Sequence, residues 1–275
     1  MQSRLTYGFG MLQGANGLDV RVTTPLLAQA CEGMTKASGV VICGHHARSY
    51  RDLLTGVEQG TLGLAWMPPL LAMELEDRQK GSPFVLPVRR GADSFLSALI
   101  TRRGGPRTLE ELKGTRAAWV DRSSAAGYLV PRMHLEASGL DPAGLFSQEL
   151  FLGNHVAVVD ALLGDRADVA ATYCTADPRT SRIFTAGWTN HDGTQTKPVE
   201  VLCTSGPIPN DALVISAAVP SEVKAALLRW LTTLDSKARE VFGALVRAER
   251  FRAATPAHYA PLRRILASAK ARGGR

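Results

Sequence analysis

Apolar positions along this chain follow two rhythms. Some form short unbroken runs of strand length, and others recur every three or four residues, the period of an amphipathic helix. Leu5 to Phe9 reads as a first strand. Thr24 then reads as the cap of a helix with Pro25 in its first position, where the missing amide costs least. Leu27, Ala30, Cys31 and Met34 mark that helix's apolar stripe, and Ser38-Gly39 ends it. Val40 to Cys43 reads as a buried strand followed by the loop Gly44-His45-His46. Ser49 and Asp52 stand at the spacing of a capping box. Leu53, Leu54 and Val57 follow as a stripe, Gly60 as a stop, and Leu62 to Trp66 as the next strand. A helical patch covers Leu70 to Leu75, Ser94 to Ile100 reads as a strand, and Thr108 and Glu111 repeat the capping-box spacing. Strands and helices alternating through short loops indicate an α/β protein with mainly parallel sheets.

The most informative stretch is Trp119 to Leu135, WVDRSSAAGYLVPRMHL. A short apolar strand, Ala117 to Val120, runs into Asp121 and a turn of small residues, then into an amphipathic helix. Ser123 or Ser124 is a natural cap. The amides of Ala125, Ala126 and Gly127 then have no partner inside the helix, and the dipole favours negative charge there. Two readings stay open, a small anion seat or an ordinary capped turn. Phe151-Leu152-Gly153-Asn154-His155 repeats the design as strand, glycine and helix start, with Val156, Val159, Leu162 and Leu163 at helical spacing and Gly164 as the stop. A helix start disfavours imidazolium, so His155 reads either as a neutral donor to an anion or as a cap. Asp211, between Ser205-Gly206-Pro207-Ile208-Pro209-Asn210 and the strand Ala212 to Ser216, reads as a turn residue or a ligand carboxylate. Ser221 reads as the cap of a late helix.

Composition narrows the classes. The 275 residues are 45% hydrophobic and 21% charged, an ordinary globular balance that allows two lobes of real core. The net charge of +7 is spread out, and only 6% of residues are aromatic, which does not make the basic stripe with interleaved aromatics of a nucleic-acid binder. Cys31, Cys43, Cys174 and Cys203 form no CxxC pair and read as small buried hydrophobes. The N-terminus has no basic region followed by an apolar run, and no later stretch approaches a membrane span. Either a leader was removed, which places the protein in the periplasm or cell envelope, or it is cytoplasmic. No nucleophile elbow, Walker loop, HExxH or GxGxxG is present. Cys43, His45 and His46 are too close together for a tetrahedral metal site, so no cofactor or metal is expected.

The order Val-Asp-x-Ser-Ser-x-x-Gly-Tyr-Leu-Val-Pro-Arg resembles the signature of phosphonate-type (PhnD-like) substrate-binding proteins of ABC transporters. Three further stretches are similar to that family. YRDLLTGVEQGTLGLAW places Tyr50 at a pocket-tyrosine position, GNHVAVVDALLGDRADVAA matches a Gly-x-His helix, and SGPIPND matches a segment whose acidic residue, here Asp211, meets a ligand amine in aminophosphonate binders. The resemblance runs from about residue 5 to 266. It implies a two-lobed type 2 periplasmic-binding-protein fold, each lobe a mainly parallel five-stranded sheet flanked by helices. Residues 1–95 and 206–275 would form the first lobe and 96–205 the second. The two hinge crossovers would lie near Phe95–Leu99 and Leu202–Ser205. Ligand would sit in the cleft, held by Tyr50, Phe95, Ser123, Ser124, Ala125, Ala126, Gly127, His155 and Asp211. The implied role is capture of a small anionic solute for a membrane ABC permease, without catalysis. Family members carry hydroxyls where this chain has Ala125, Ala126 and Phe95, which implies weak affinity for simple phosphonates. A cytoplasmic biosynthetic enzyme and an effector-sensing domain are the alternatives on the same architecture.

Overall fold

A computed structural model describes residues 5–13, 19–122, 124–177, 180, 182–190 and 196–273. The chain opens with β1 (Thr6–Leu12), α1 (Val20–Ser38), β2 (Val41–Ala47), α2 (Tyr50–Glu58), β3 (Leu62–Met67), α3 (Pro69–Asp77) and β4 (Gly81–Val88). Then come β5 (Ser94–Arg102), β6 (Arg116–Trp119), a π-helical turn (Ala125–Leu129), α4 (Val130–Ala137), α5 (Pro142–Leu145), β7 (Gln148–Phe151), α6 (His155–Leu163), β8 (Val169–Ala176), β9 (Ile183–Ala186) and β10 (Val199–Pro209). The chain closes with β11 (Ala212–Ser216), α7 (Ser221–Thr232), α8 (Ser236–Val246), β12 (Arg250–Ala253) and α9 (Pro256–Gly273). It divides into two units: Met1–Asp93 with Pro209–His258, and Ser94–Ile208 with Tyr259–Arg275. Helix α9 therefore begins in unit 1 and groups with unit 2 from Tyr259 onward.

The sheet of unit 1 has the order β12-β4-β11-β3-β1-β2. β1 runs parallel to β2 and β3, whereas β11 enters antiparallel between β3 and β4, and β12 adds an antiparallel edge beside β4. Apolar stripes of α1, α7 and α8 cover one face, with Phe9, Leu27, Met34, Leu227, Leu231 and Phe242 buried together. In unit 2 the order is β10-β5-β8-β6-β7, with β9 on the end of β8. β6 is parallel to β7 and β8, while β5 and β9 run antiparallel to β8. One face buries Ala98, Ile100, Ala170 and Cys174 against α6, and the other buries Leu99, Trp119 and Ala171 against Leu135 and Leu145 of α4 and α5.

Both sheets have six strands of mixed direction rather than five mainly parallel ones. The sixth strand is the antiparallel edge β12 in unit 1 and the antiparallel β9 in unit 2. Several local expectations change as well. Helix α1 begins at Val20, because Asp19 accepts from the Arg21 amide at 2.7 Å, so Pro25 falls inside the helix and Thr24 is not its cap. β2 continues through Gly44, His45 and His46, and its place at the sheet edge leaves Cys43 exposed. The Thr108–Glu111 spacing caps only a single 3-10 turn, Glu110–Leu112. Ser205 to Pro209 belongs to β10, and α7 begins after Pro220 with no side-chain cap from Ser221. Among the described residues no helix is long and apolar enough to cross a membrane.

Candidate functional site

In unit 2 the parallel strands β6 and β7 each end in a turn that starts a helix, the place where α/β sheets bind ligands. After β6, Ser124 is the N-cap, and its hydroxyl accepts from the Gly127 amide at 3.0 Å. Ser123 lies outside the described residues. The first turn is π-helical, with the Leu129 amide donating to the Ser124 carbonyl at 3.0 Å. The amides of Ala125 and Ala126 come too early in the turn to find an acceptor within it. Gly127 is required by space: a Cβ there would meet Val120 Cγ2 at 2.4 Å. Such wide single turns inside helices mark functional sites more often than ordinary helix does.

The turn after β7 places Asn154 as cap, accepting from the Ala157 amide at 2.8 Å, and His155 as the first residue of α6. Val120 joins the two turns. Its amide donates to the Gly127 carbonyl at 3.1 Å, and its carbonyl accepts from the Gly153 amide at 2.8 Å. His155 Nδ1 lies 3.0 Å from Thr172 Oγ1, and its ring stands edge-on to Tyr173 at 5.0 Å. Burial holds the imidazole well below its ordinary value, at about 4, so the ring is neutral near pH 7. From the opposite face of the sheet, buried Ser97 on β5 donates to the Ala126 carbonyl at 2.7 Å. Phe95 is half-buried two residues earlier, on the same face of β5 as Ser97. Below the seat, Glu149 accepts from the Trp119 indole at 2.6 Å and from Arg132 at 2.5 Å, fixing α4 to the strands.

Tyr50 and Asp211 belong to a separate cluster in unit 1. Ser49 and Asp52 form the expected capping box at the start of α2, which sets Tyr50 in its first turn. Tyr50 is 41% exposed as a residue, yet crowding around the phenol, with Asp211 adding negative charge, pushes it up to about 12. Asp211 is half-buried just before β11. Desolvation raises its carboxyl above the usual range, while Arg89 and a hydrogen bond from Trp66 act the other way. The Arg89 guanidinium also lies 6.0 Å from the Trp66 ring centre. Next to Asp211, buried Asn210 donates to the carbonyls of Pro87 at 3.0 Å and Ala92 at 3.3 Å.

Ser97, Val120 and Thr172 in unit 2, and Trp66 and Arg89 in unit 1, adjoin the candidate residues and are not singled out by the motifs. A lone Ser or Thr in an apolar strand is the available signal, because a buried hydroxyl requires a partner. Among the described residues no group of three or more His, Cys, Asp and Glu side chains comes together to hold a metal ion.

The sheet orders and paired turns define the type 2 periplasmic-binding-protein class. A family model described as the periplasmic substrate-binding protein of phosphonate ABC transporters matches residues 22–259. The chain belongs to that family. Among solved structures, it is similar to a binding-protein component of an ABC phosphonate transporter from Pseudomonas aeruginosa, with 21% identity over 96% of this chain and 86% of that one, at TM-score 0.70. A protein from Xanthomonas citri bound to chloride ion is 20% identical over 95% of this chain and 96% of its own, at TM-score 0.75. PhnD1 from Prochlorococcus marinus, in complex with methylphosphonate, is 16% identical over 96% and 98%, at TM-score 0.68.

Proposed function

We propose that this protein captures a small oxyanion at the turn Ser124, Ala125, Ala126 and Gly127, with His155 beside it, and delivers it to the membrane permease of an ABC transporter. Its place of action would be the periplasm or cell envelope, and it would bind without turnover. The observation that carries this reading is that the backbone N–H and C=O of Val120 bond to the seat turn and the His155 turn respectively. Two helix starts are thereby held side by side, each offering amides and a favourable dipole to negative charge. Phe95 lies on the strand face that supports the seat and would contact the less polar part of the solute. Tyr50 and Asp211 are proposed as the ligand residues of unit 1.

Ala125 and Ala126 bring amides but no hydroxyls, so the seat has fewer donors than a phosphonate's oxygens can use. Simple phosphonates should therefore bind weakly. Calorimetry and melting curves with phosphate, sulfate, methylphosphonate and small carboxylates test the proposal. At least one oxyanion should bind saturably and raise the melting temperature, by mass action on the folded state. Ser124→Ala should weaken that ligand by about tenfold, as loss of one charge-assisted donor does. Failure of every oxyanion to bind at millimolar concentration would contradict the proposal.

A further inference from the structure

The hydroxyl of Thr172 is wholly buried, and His155 Nδ1, 3.0 Å away, is its one hydrogen-bond partner among the described residues. A neutral imidazole carries a single ring proton, and what one nitrogen bonds to decides where that proton resides. Suppose the proton were on Nδ1. It would donate to Thr172 Oγ1, and the threonine O–H would be left with no acceptor among the described residues. With the proton on Nε2, the threonine O–H donates to the Nδ1 lone pair and both groups are satisfied. Buried donors are seldom left unpaired, so the second arrangement is favoured.

The surroundings close off other solutions. A Cβ added at Gly187 would lie 2.0 Å from Thr172 Oγ1, so that side of the hydroxyl is filled by backbone. The Tyr173 ring packs edge-on against the imidazole at an interplanar angle of 85°. His155 Nε2 makes no hydrogen bond to any described residue.

We infer that Thr172 is a positioning residue that fixes His155 as the Nε2–H tautomer, so that the ring meets the ligand as a hydrogen-bond donor. The consequence is selectivity for an acceptor at that place, strongest for an ionised oxygen: a carboxylate, a sulfate or sulfonate, or a phosphate-type group. A ligand that presents only an ammonium at that place, with protons and no lone pair, would face a second donor and be disfavoured. This rests on the proposal that His155 belongs to the ligand seat.

Nitrogen-15 NMR of the histidine rings tests it on the ligand-free protein at neutral pH, with the His155 signals assigned by their loss in His155→Gln. The wild type should show a bare Nδ1 and a protonated Nε2. Thr172→Val keeps the shape of the side chain and removes the donor, so it should shift the ring towards the other tautomer, and Thr172→Ser should restore the original one. Calorimetry with sulfate as probe should show affinity about tenfold weaker in Thr172→Val and recovered in Thr172→Ser. A protonated Nδ1 in the wild type overturns the inference whatever the affinities are. A changed tautomer in Thr172→Val with unchanged sulfate affinity overturns the selectivity. Equal sulfate affinity in wild type and His155→Gln would instead remove His155 from the seat, a failure of the proposed function that the ligand-free spectrum distinguishes.

Discussion

Units 1 and 2 place residues at the same kind of position, helix starts and strand ends, but furnish it with different chemistry. In unit 2 the proposed seat is backbone: amides at Ala125 and Ala126, in a turn shaped by hydroxyls and a glycine, with a neutral His155 at the next helix start. In unit 1 the cluster is made of charged and aromatic side chains, Asp211 with Arg89, Trp66 and Tyr50. A backbone seat tolerates change in the side chains that point away from it. It depends instead on remote residues that hold the turn open. A side-chain cluster has the reverse sensitivity, because its chemistry disappears with one residue.

Substitutions that deform the turn should therefore have larger effects than any made in the charged cluster. Gly127→Ala should be the most damaging. Its Cβ would lie 2.4 Å from one Val120 carbon and 2.6 Å from another. Overpacking of that kind costs about 1–3 kcal/mol, and it displaces the seat amides as well. Urea denaturation should show the loss, and calorimetry should show oxyanion binding abolished.

Ser97→Ala comes next. It leaves the buried Ala126 carbonyl without its 2.7 Å donor, at a cost of about 1–3 kcal/mol for an unsatisfied buried group. Stability and anion affinity should fall together, although Ser97 itself need not touch the ligand. Unchanged affinity would mean that the turn keeps its shape without this bond.

The pH dependence separates the units further. His155 titrates at about 4 when folded against an ordinary 6.5. Between these values the unfolded chain binds more protons, so stability is full above 6.5 and declines as pH falls towards 4. His155→Gln should flatten this part of the melting-temperature profile. Asp211 has the opposite sign. Burial raises its carboxyl above 3.8, so the folded state holds the proton more tightly and stability declines as pH rises past that value. Asp211→Asn should flatten that decline and change stability at neutral pH by no more than about 1 kcal/mol. This is the smallest of the four effects. A large loss of stability would show that Arg89 and Trp66 outweigh the desolvation.

Residues whose local chemistry agrees with their place in the fold were legible in the sequence. The Ser49–Asp52 box, the stripe of α1, the Ser124 cap and the Asn154-His155 helix start all formed as their side chains suggest. Elements set by tertiary pairing were not. β4 contains Pro83 and Pro87, which argue against a strand. They are tolerated here opposite Val214 and Phe251 of the antiparallel neighbours. Ser205 to Pro209 has the composition of a turn and forms the end of β10, because β5 offers it a free edge. The Ser124 cap could be read from the chain, whereas the residues that support its turn could not. Ser97 and Thr172 are single hydroxyls in apolar strands, and only the register of β5 with β8 puts them on adjacent rungs with side chains on opposite faces.

Backbone recognition by the seat is the central claim, and amide NMR reads it directly. With sulfate or methylphosphonate titrated into labelled protein, the amides of Ala125 and Ala126 should shift saturably, with the same dissociation constant that calorimetry gives for the whole protein. Saturable binding that leaves those two amides unmoved would contradict the account.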